Sequence, residues 1–385
     1  MTRFEFSTVS RIIFGEGVFR DTATLASQMG RRILVVCGIK GVFIDSLNER
    51  LRGMGCEPIP FDVVNEPTVD SIKIGLETAR RNACDLVLSL GGGSAIDTGK
   101  VISVMATNPG EVLDYLEVIG RGKEIQIPGL PNIAIPTTAG TGAEVTRNAV
   151  IGSPEHGVKV SLRSSLMLPK VAIIDPELTY SLPPAVTAYT GLDALIQLIE
   201  PFLSLAANPV TDALCREGIP RAAQSLRKVY LNGQDQLARK NMALASLFGG
   251  LALANAKLGA VHGFAGPIGG MFPAPHGAVC ARLLAVVMEV NLRALTERQP
   301  TASAHQRYRE IARMVTGSEG AEPIDGVRWI EDLCATLQIP ALTQYGITRN
   351  SFPELVEMAA QSSSMKGNPI QLTKEEMLEI LERAL

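Results

Sequence analysis

Residues 86–100 read LVLSLGGGSAIDTGK and join a short apolar run to a glycine turn and a helix-forming segment. The run at 86–90 is typical of a buried parallel strand, and GGGS at 91–94 opens the helix that follows. Glycine lets the backbone approach a ligand closely, and unpaired N–H groups at a helix start bind anions. The stretch therefore predicts a diphosphate-binding turn. It is not a GxGxxG pattern, and a purely structural turn remains an alternative.

Similar apolar runs occur on both sides of this stretch. Helix-like segments near 43–54 and 69–82 separate the first three of them. Strands that alternate with helices in this way indicate an α/β fold with a doubly wound parallel sheet. The predicted strands cover residues 32–37, 57–62, 86–90, 132–136 and 171–174.

A second polar loop follows the strand predicted at 132–136. It reads PTTAGTGAE over residues 136–144 and carries the hydroxyls of Thr138 and Thr141. Because open α/β sheets bind ligands at the carboxyl ends of their strands, we expect both loops to line one crevice. The two hydroxyls suit a phosphate or an amide partner.

The character of the chain changes after about residue 182, where β-branched runs give way to helical patterns. The proline pair at 183–184 can begin a helix, because proline is tolerated in the first turn. We therefore predict an α/β domain over residues 1–180 and an all-helical domain over 181–385. Later helices are predicted at 240–258, 302–316, 324–337, 352–362 and 373–385, the last behind a T-x-x-E capping box.

The composition suits a globular protein, with 46% hydrophobic and 19% charged residues among 385. A net charge of −3 gives no reason to expect a nucleic-acid partner. No apolar run reaches the roughly 18 residues of a membrane span, and the start lacks the pattern of a signal peptide. Six scattered cysteines without a CxxC pair favour free thiols in a reducing cytoplasm.

A small polar cluster marks the helical half. The segment GLDALIQLIE places Asp193 and Gln197 four residues apart on one helical face. His262 and His276 lie in glycine-rich, apolar surroundings, where a lone histidine is more often a satisfied core or turn residue than a ligand. Two histidines and an aspartate would nevertheless supply three protein ligands for a catalytic metal with an open position. Spacing alone leaves both interpretations open.

Six motifs occur in a fixed order along the chain. They are GGGSAIDTGK (91–100), PTTAGTGAEVT (136–146), LPKVAIIDPELT (168–179), LPPAVTAYTGLDAL (182–195), VHGFAGPIGG (261–270) and PHG (275–277). This series resembles the iron-containing, or group III, alcohol dehydrogenases. The resemblance implies the dehydroquinate synthase-like fold, in which an α/β dinucleotide-binding domain precedes an all-helical domain and the active site lies in the cleft between them. It also implies a homodimer.

The resemblance further implies roles for individual residues. Asp193, His262 and His276 match three of the family's four metal ligands and are expected to carry catalysis. Lys159 and Leu178 are expected to flank the cofactor. The residues expected at the cofactor diphosphate, ribose and nicotinamide are Gly92, Gly93, Ser94, Asp97, Thr137, Thr138 and Thr141.

Two positions in the metal region depart from the family pattern. The family usually has histidine four residues after the ligand Asp, and Gln197 stands there; Gly266 stands where a second histidine is frequent. An amide oxygen is a weaker ligand than imidazole, so we expect Gln197 as a weak fourth ligand to Fe²⁺ or Zn²⁺. A site without metal remains an alternative. The absent histidine at 266 removes a proton relay to solvent.

A third departure concerns the choice of nicotinamide cofactor. Many NAD-preferring members carry Asp after the second strand of the fold, and Gly38 stands there. Without that carboxylate the 2′-phosphate of NADP is not repelled, and Lys40 can attract it. We therefore expect both residues at the cofactor, with NADP(H) slightly preferred over NAD(H).

The predicted function is an NAD(P)-dependent alcohol dehydrogenase or aldehyde reductase. Hydride would pass reversibly between the nicotinamide and a small alcohol or aldehyde whose oxygen a metal polarises. In a site without metal, His262 or His276 would donate a hydrogen bond to that oxygen instead. The alternatives are a metal-independent reductase of the maleylacetate reductase type, a dehydroquinate-synthase-like lyase, and a nucleotide-binding protein without activity.

Overall fold

The structure is a computed structural model that describes residues 3–385, and it contains two compact units. The α/β unit comprises Ser7–Thr138 and Gly142–Thr179. The helical unit comprises Tyr180–Leu385 together with Ala139–Thr141 and residues 3–6. The change of unit after Thr179 lies beside the boundary expected at 180, but two short N-terminal segments belong to the helical unit.

The α/β unit contains eight strands and five α-helices. The strands are β1 (Arg11–Phe14), β2 (Arg32–Cys37), β3 (Glu57–Asp62), β4 (Leu86–Gly91), β5 (Asn132–Pro136), β6 (Asn148–Ser153), β7 (Val158–Arg163) and β8 (Val171–Ile174). The helices are α1 (Thr22–Ser27), α2 (Val42–Gly53), α3 (Val69–Arg81), α4 (Gly93–Met105) and α5 (Val112–Tyr115).

Six of these strands form one sheet in the order β1-β8-β5-β4-β2-β3, and every pair in it is parallel. The predicted α/β fold with a parallel sheet is therefore confirmed, and all five predicted strands form. The short strand β1 and the antiparallel hairpin of β6 and β7 were not predicted. These three strands are only partly buried, so they lack the continuous apolar run that marks the central strands.

Helices cover both faces of the sheet. Leu34 and Val36 of β2 pack with α3 and α4 on one face, whereas Ile33 and Val35 pack with α1 and α2 on the other. Burial on both sides explains why the strands are apolar throughout. Strands β2 and β4 are neighbours, yet the helices that follow them lie on opposite faces. This is the topological switch point at which such sheets bind ligands.

The helical unit is built around one long buried helix. Its helices are α6 (Pro184–Leu203), α7 (Pro209–Leu231), α8 (Gln236–Asn255), α9 (Ala260–Met271), α10 (His276–Arg298), α11 (Ala304–Thr316), α12 (Pro323–Thr336), α13 (Phe352–Gln361) and α14 (Lys374–Ala384). Every residue of α6 from Gly191 to Leu203 is buried, so any polar side chain there needs a partner inside the unit.

The predicted helices form, and the predicted capping box stands at the start of α14. The Thr373 N–H donates to Glu376 Oε2 at 2.7 Å, and the Glu376 N–H donates to Thr373 Oγ1 at 3.2 Å. Helices α7, α9 and α10 were not predicted. Helix α9 has four glycines and Pro267 in its sequence, so its local propensity is low and packing has to stabilise it.

Among the described residues, no single helix has the length and apolarity to cross a membrane. Helices α8 and α9 pass that test only when taken together, and they are bent by 93° at the break between them.

Candidate active site

The glycine turn lies at the switch point of the sheet. A Cβ at Gly91 would lie 2.8 Å from the Ala95 Cβ and 3.1 Å from the Gly38 Cα, so no side chain fits there. The Gly38 N–H donates to the Leu90 carbonyl at 2.9 Å. The end of β2 and the turn after β4 are therefore in direct contact.

This contact adds a second reason for glycine at position 38. A Cβ there would lie 3.2 Å from the Ala95 Cβ, so tight packing favours glycine at this position. This reason is separate from the proposed effect of Gly38 on the choice of cofactor. Lys40 follows two residues later and is exposed. The structure thus places Gly38 beside the glycine turn, with Lys40 two residues further along the chain, and the preference for NADP(H) stays a prediction.

The loop after β5 adjoins the glycine turn. The Thr137 N–H donates to the Gly91 carbonyl at 2.9 Å, and a Cβ at Gly92 would lie 3.4 Å from the Thr138 Cγ2. Both loops therefore stand at one sheet edge, as expected. Gly93 and Ser94 form the first turn of α4.

Thr141 is placed differently from Thr137 and Thr138. It belongs to the helical unit with its neighbour Gly140, whose Cβ would lie 2.7 Å from the Thr190 Cβ of α6. Thr138 therefore belongs to the α/β unit, whereas Ala139–Thr141 belong to the helical unit. The sequence pattern did not indicate this division of the loop.

Asp97 has partners within the protein. Its Oδ2 accepts the Val150 N–H at 3.0 Å, and its Oδ1 lies 2.8 Å from the Lys100 Nζ. Lys100 is fully buried and also donates to the Ala143 carbonyl and to Thr146 Oγ1. These bonds attach α4 to the segment that leads into β6. Asp97 thus supports the cofactor turn from within the unit.

Two further residues expected beside the cofactor also have protein partners. Lys159 forms an ion pair with Glu66. Leu178 is 4% exposed and packs in the core between the sheet and α1 and α2. Their roles at a bound cofactor stay predictions.

Three helices bring the predicted metal residues of the helical unit together. Asp193 lies in α6, His262 in α9, and His276 is the first residue of α10. The Asp193 Oδ1 is 3.4 Å from the His262 Nε2 and 3.8 Å from the His276 Nε2. Asp193 is 2% exposed and His262 is 9% exposed, so these two residues are shielded from water, whereas the side chain of His276 is 42% exposed.

Glu200 orients one of these histidines, although the sequence analysis did not single it out. Its Oε2 lies 2.6 Å from the His262 Nδ1, and its Oε1 accepts the Val261 N–H at 2.7 Å. This bond directs the other ring nitrogen of His262 toward Asp193. A signal was present, because Glu200 is the only other charged residue of α6 and follows Asp193 by two helical turns.

Cys280 also joins the cluster, although the sequence pattern indicated only that it is one of six free thiols. It lies one turn after His276 in α10, and its Sγ is 3.5 Å from the His276 Nε2. One ligand atom from each of Asp193, His262, His276 and Cys280 lies within 4.8 Å of the others. The spacing H-x₃-C was visible in the sequence but was not interpreted.

Gln197 contacts Asp193, as the helical spacing predicted. Its Nε2 donates to the Asp193 Oδ2 at 2.8 Å. Within the described part of the chain, the Gln197 Oε1, the Asp193 Oδ1 and the His262 Nε2 are buried and have no hydrogen-bond partner. Buried polar atoms are nearly always satisfied, and three such atoms in one cluster fit a bound cation.

The electrostatics of the cluster also favour a cation. Burial opposes charge on His262, but the carboxylates of Glu200 and Asp193 outweigh burial and raise the pKa of His262 to about 10. Burial likewise opposes charge on Asp193, but the close contact with His262, the positive charge of both histidines and the hydrogen bond from Gln197 hold the pKa of Asp193 below its usual range. The site thus stabilises positive charge, and carboxylate with imidazole is a donor set that Zn²⁺ and Fe²⁺ accept.

Gly266 lies one turn after His262 in α9. A Cβ at this position would meet nothing within 4 Å. Packing therefore does not require glycine at position 266. Steric conflict does not explain why this chain lacks the histidine that is frequent there in the family.

An α/β unit with a glycine turn at its switch point, followed by a helical unit with a candidate cation site, is the arrangement expected of metal-associated, nucleotide-dependent enzymes. Two family models match the chain accordingly. Residues 9–176 match iron-containing alcohol dehydrogenase, and residues 187–385 match the C-terminal part of the Fe-containing alcohol dehydrogenase family.

Individual relatives agree with these matches. Alcohol dehydrogenase 4 of Saccharomyces cerevisiae is 35% identical over 378 residues, which cover 96% of each chain. A crystal structure of 1,3-propanediol oxidoreductase superposes with a TM-score of 0.92 at 33% identity and covers 100% of both chains. The sulfoacetaldehyde reductase of Bifidobacterium kashiwanohense, solved with NAD⁺, gives a TM-score of 0.86 at 28% identity and covers 100% of this chain and 99% of that one.

The chain therefore belongs to the iron-containing alcohol dehydrogenase family. As a member it is an oxidoreductase that acts on CH–OH groups with a nicotinamide cofactor. The alternatives of a dehydroquinate-synthase-like lyase and of a nucleotide-binding protein without activity are not supported.

Proposed function

We propose that this chain transfers hydride reversibly between a nicotinamide cofactor and a small alcohol or aldehyde, at a divalent metal held by Asp193, His262 and His276. The observation that carries this proposal is the set of buried polar atoms without partners at the meeting point of α6, α9 and α10. Three of the relatives are named as an alcohol dehydrogenase, a 1,3-propanediol oxidoreductase and a sulfoacetaldehyde reductase, which supports an alcohol or aldehyde substrate here.

A bound Fe²⁺ or Zn²⁺ would act as a Lewis acid that polarises the substrate oxygen. The protein residues prepare the site for this role. Glu200 fixes the orientation and protonation pattern of the His262 ring, and the amide of Gln197 holds one oxygen of Asp193 in place. The low exposure of these side chains keeps bulk water from the reacting oxygen and strengthens electrostatic interactions there.

The cofactor is proposed to bind at the switch point of the α/β unit. The N–H groups at the start of α4 suit its diphosphate, and the Thr138 side chain lies next to Gly92 on the adjoining loop. For the adenosine end we propose a slight preference for NADP(H), because position 38 lacks a carboxylate and Lys40 is exposed two residues later. Comparison of NADPH and NADH dissociation constants for wild type and Lys40→Gln tests this preference.

We also propose a homodimer in the cytoplasm. The family resemblance supports the dimer, and sedimentation analysis at several protein concentrations tests it. The compartment is supported by six cysteines that are all free, two of them incompletely buried, as a reducing environment allows.

The central experiment combines metal analysis with turnover of an aldehyde panel. We expect His262→Ala to reduce kcat/KM by about a thousandfold, or about 4 kcal/mol, and to lower the metal content while NADPH still binds. His156→Ala is the matched control, because His156 lies in an exposed turn of the α/β unit. Near-normal activity of His262→Ala would show that the site is wrongly assigned. Full activity after complete metal removal would favour the metal-independent reductase.

A further inference from the structure

We infer that the thiolate of Cys280 is the fourth protein ligand of the metal, and that Gln197 positions Asp193 instead of binding the metal. This inference rests on the proposed function, since it concerns the same metal. It changes the expected ligand set from Asp, Gln, His and His to Asp, His, His and Cys.

The distances within the cluster support four ligands. Metal–ligand bonds of about 2.0–2.3 Å around a tetrahedral ion place neighbouring ligand atoms about 3.3–3.8 Å apart. The Asp193 Oδ1 is 3.4 Å from the His262 Nε2 and 3.8 Å from the His276 Nε2. The Cys280 Sγ is 3.5 Å from the His276 Nε2, and the other separations stay within 4.8 Å.

The cysteine does not stand alone in this argument. The Asp193 Oδ1 and the His262 Nε2 are buried atoms without hydrogen-bond partners, and they belong to the same group of four residues as the thiol. Helical geometry also contributes, because residues four apart in α10 place His276 and Cys280 on one face. Two adjacent turns of one helix thus present an imidazole and a thiol to the same point.

Gln197 is the competing fourth ligand, since its Oε1 is also buried and has no hydrogen-bond partner among the described residues. Its Nε2 already donates to the Asp193 Oδ2 at 2.8 Å, so the amide serves to hold the carboxylate. A neutral amide oxygen is also a weaker ligand for Zn²⁺ or Fe²⁺ than a thiolate. Gln197 therefore orients the ligand Asp193, and Cys280 supplies a ligand of its own.

Ligation by Cys280 has a simple chemical balance. The thiol loses its proton to solvent, and the sulfur lone pair forms the bond to the metal, so no oxidant or reductant is needed. A thiolate shifts the preference of the site toward Zn²⁺ over harder ions such as Mn²⁺ or Mg²⁺. A substrate oxygen would then be a fifth ligand, an expansion that catalytic zinc sites are known to make.

Cobalt substitution tests the inference without relying on activity. We expect the full-length Co²⁺ protein to show both visible d–d bands and a near-ultraviolet sulfur-to-cobalt charge-transfer band. Cys280→Ser and Cys280→Ala should lose the charge-transfer band, keep the d–d bands, and bind Co²⁺ at least about tenfold more weakly. Gln197→Leu should keep the charge-transfer band at saturating Co²⁺.

Cys215→Ser is the matched control, because Cys215 is an equally buried thiol of the same unit and is not part of the cluster. It should leave both sets of bands unchanged. If the Cys280 variants do not fold, zinc X-ray absorption spectroscopy of the wild type tests the inference instead. A Zn–S distance of about 2.3 Å is distinct from Zn–N and Zn–O distances of about 2.0–2.2 Å, and we expect one sulfur ligand.

The possible failures of the two proposals can be told apart. A wild-type spectrum with d–d bands and no sulfur band, or a zinc site without sulfur, would overturn the role of Cys280 and leave the proposed function intact. A wild type that binds neither Co²⁺ nor Zn²⁺ would overturn both.

Discussion

At the scale of single residues, Gln197 holds one oxygen of Asp193 in the proposed metal site. It lies in a buried stretch of α6. Helix α8 packs closely on this position, because a Cβ added at Gly249 would lie only 3.3 Å from the Gln197 Cβ. The amide bonds Asp193 and leaves its own oxygen without a partner. An imidazole at this position would offer a ring nitrogen to the same cluster.

We predict that Gln197→His raises Zn²⁺ affinity by at least about tenfold, or about 1.4 kcal/mol, because the imidazole would add a strong ring-nitrogen ligand where Gln197 is proposed to supply none. Competition titration against a chelator measures this change. Gln197→Leu is the control and should weaken binding, since it removes the bond to Asp193. Equal affinities for wild type and the histidine variant would mean that position 197 does not face the ion.

Glu144 is a second residue whose environment sets a measurable property. Burial raises its pKa from 4.5 to about 7, and this effect outweighs the opposing influence of its own backbone N–H and of Lys100. The folded chain therefore holds this proton more tightly than the unfolded chain does. It follows that the stability contributed by protonated Glu144 is present below about pH 4.5 and is lost as the pH rises to about 7.

We predict that Glu144→Gln gains stability relative to wild type as the pH rises from about 4.5 to 7, with a constant difference above that range. Denaturant midpoints for both proteins at pH 5, 6, 7 and 8 test the prediction. Parallel curves for the two proteins over the whole range would contradict it.

At the scale of elements, helix α4 packs closely against the sheet because residue 99, which faces the sheet, is glycine. A Cβ at Gly99 would lie 1.9 Å from the Ser89 Oγ of β4 and 3.3 Å from the Val87 Cγ1. The close approach brings the first turn of α4 to the end of β4, where the phosphate site is proposed. The conformation at position 99 is an ordinary helical one, so space and not backbone freedom requires glycine.

We predict that Gly99→Ala lowers the free energy of unfolding by about 1–3 kcal/mol, as overpacked cores do. Gly53→Ala is the matched helical control, because a Cβ there meets nothing within 4 Å, and it should be neutral or stabilise by up to about 1 kcal/mol. Urea denaturation followed by circular dichroism compares the two. An equal effect of both substitutions would contradict the packing argument.

At the scale of the whole molecule, the two proposed binding sites belong to two different compact units. The proposed phosphate site lies at the switch point of the α/β unit, and the metal residues come from three helices of the helical unit. A ligand stabilises the structure that binds it, by about 4 kcal/mol at a thousand times its Kd. The two ligands should therefore protect different parts of the chain.

We predict that Zn²⁺ slows amide hydrogen exchange in α6, α9 and the start of α10, and that NADPH slows exchange around residues 38–40 and 91–98. Exchange measured by mass spectrometry with and without each ligand tests both statements, and chelator-treated protein is the reference. Protection of residues 91–98 by Zn²⁺ alone would contradict the separate assignment of the two sites.

The sequence by itself determined the central strands, the glycine turn and three of the metal residues. Strands buried on both faces must be apolar without interruption, so they were visible as runs such as residues 86–90. The turn was visible because only glycine permits the close approach at Gly91. Asp193, His262 and His276 were found because their motifs follow a family order, which local propensity alone would not have provided.

Only the tertiary structure showed which further residues adjoin the proposed metal site. Glu200 and Cys280 gave weak signals in the sequence of their own helices, and their contacts with His262 and His276 bring them into the cluster. The same holds for the strand order and for α9, whose glycines and proline disfavour a helix locally. Spacing along the chain specifies neighbours within one element, whereas contacts between α6, α9 and α10 depend on how the helices pack. A site that three helices build therefore becomes visible only when they are folded together.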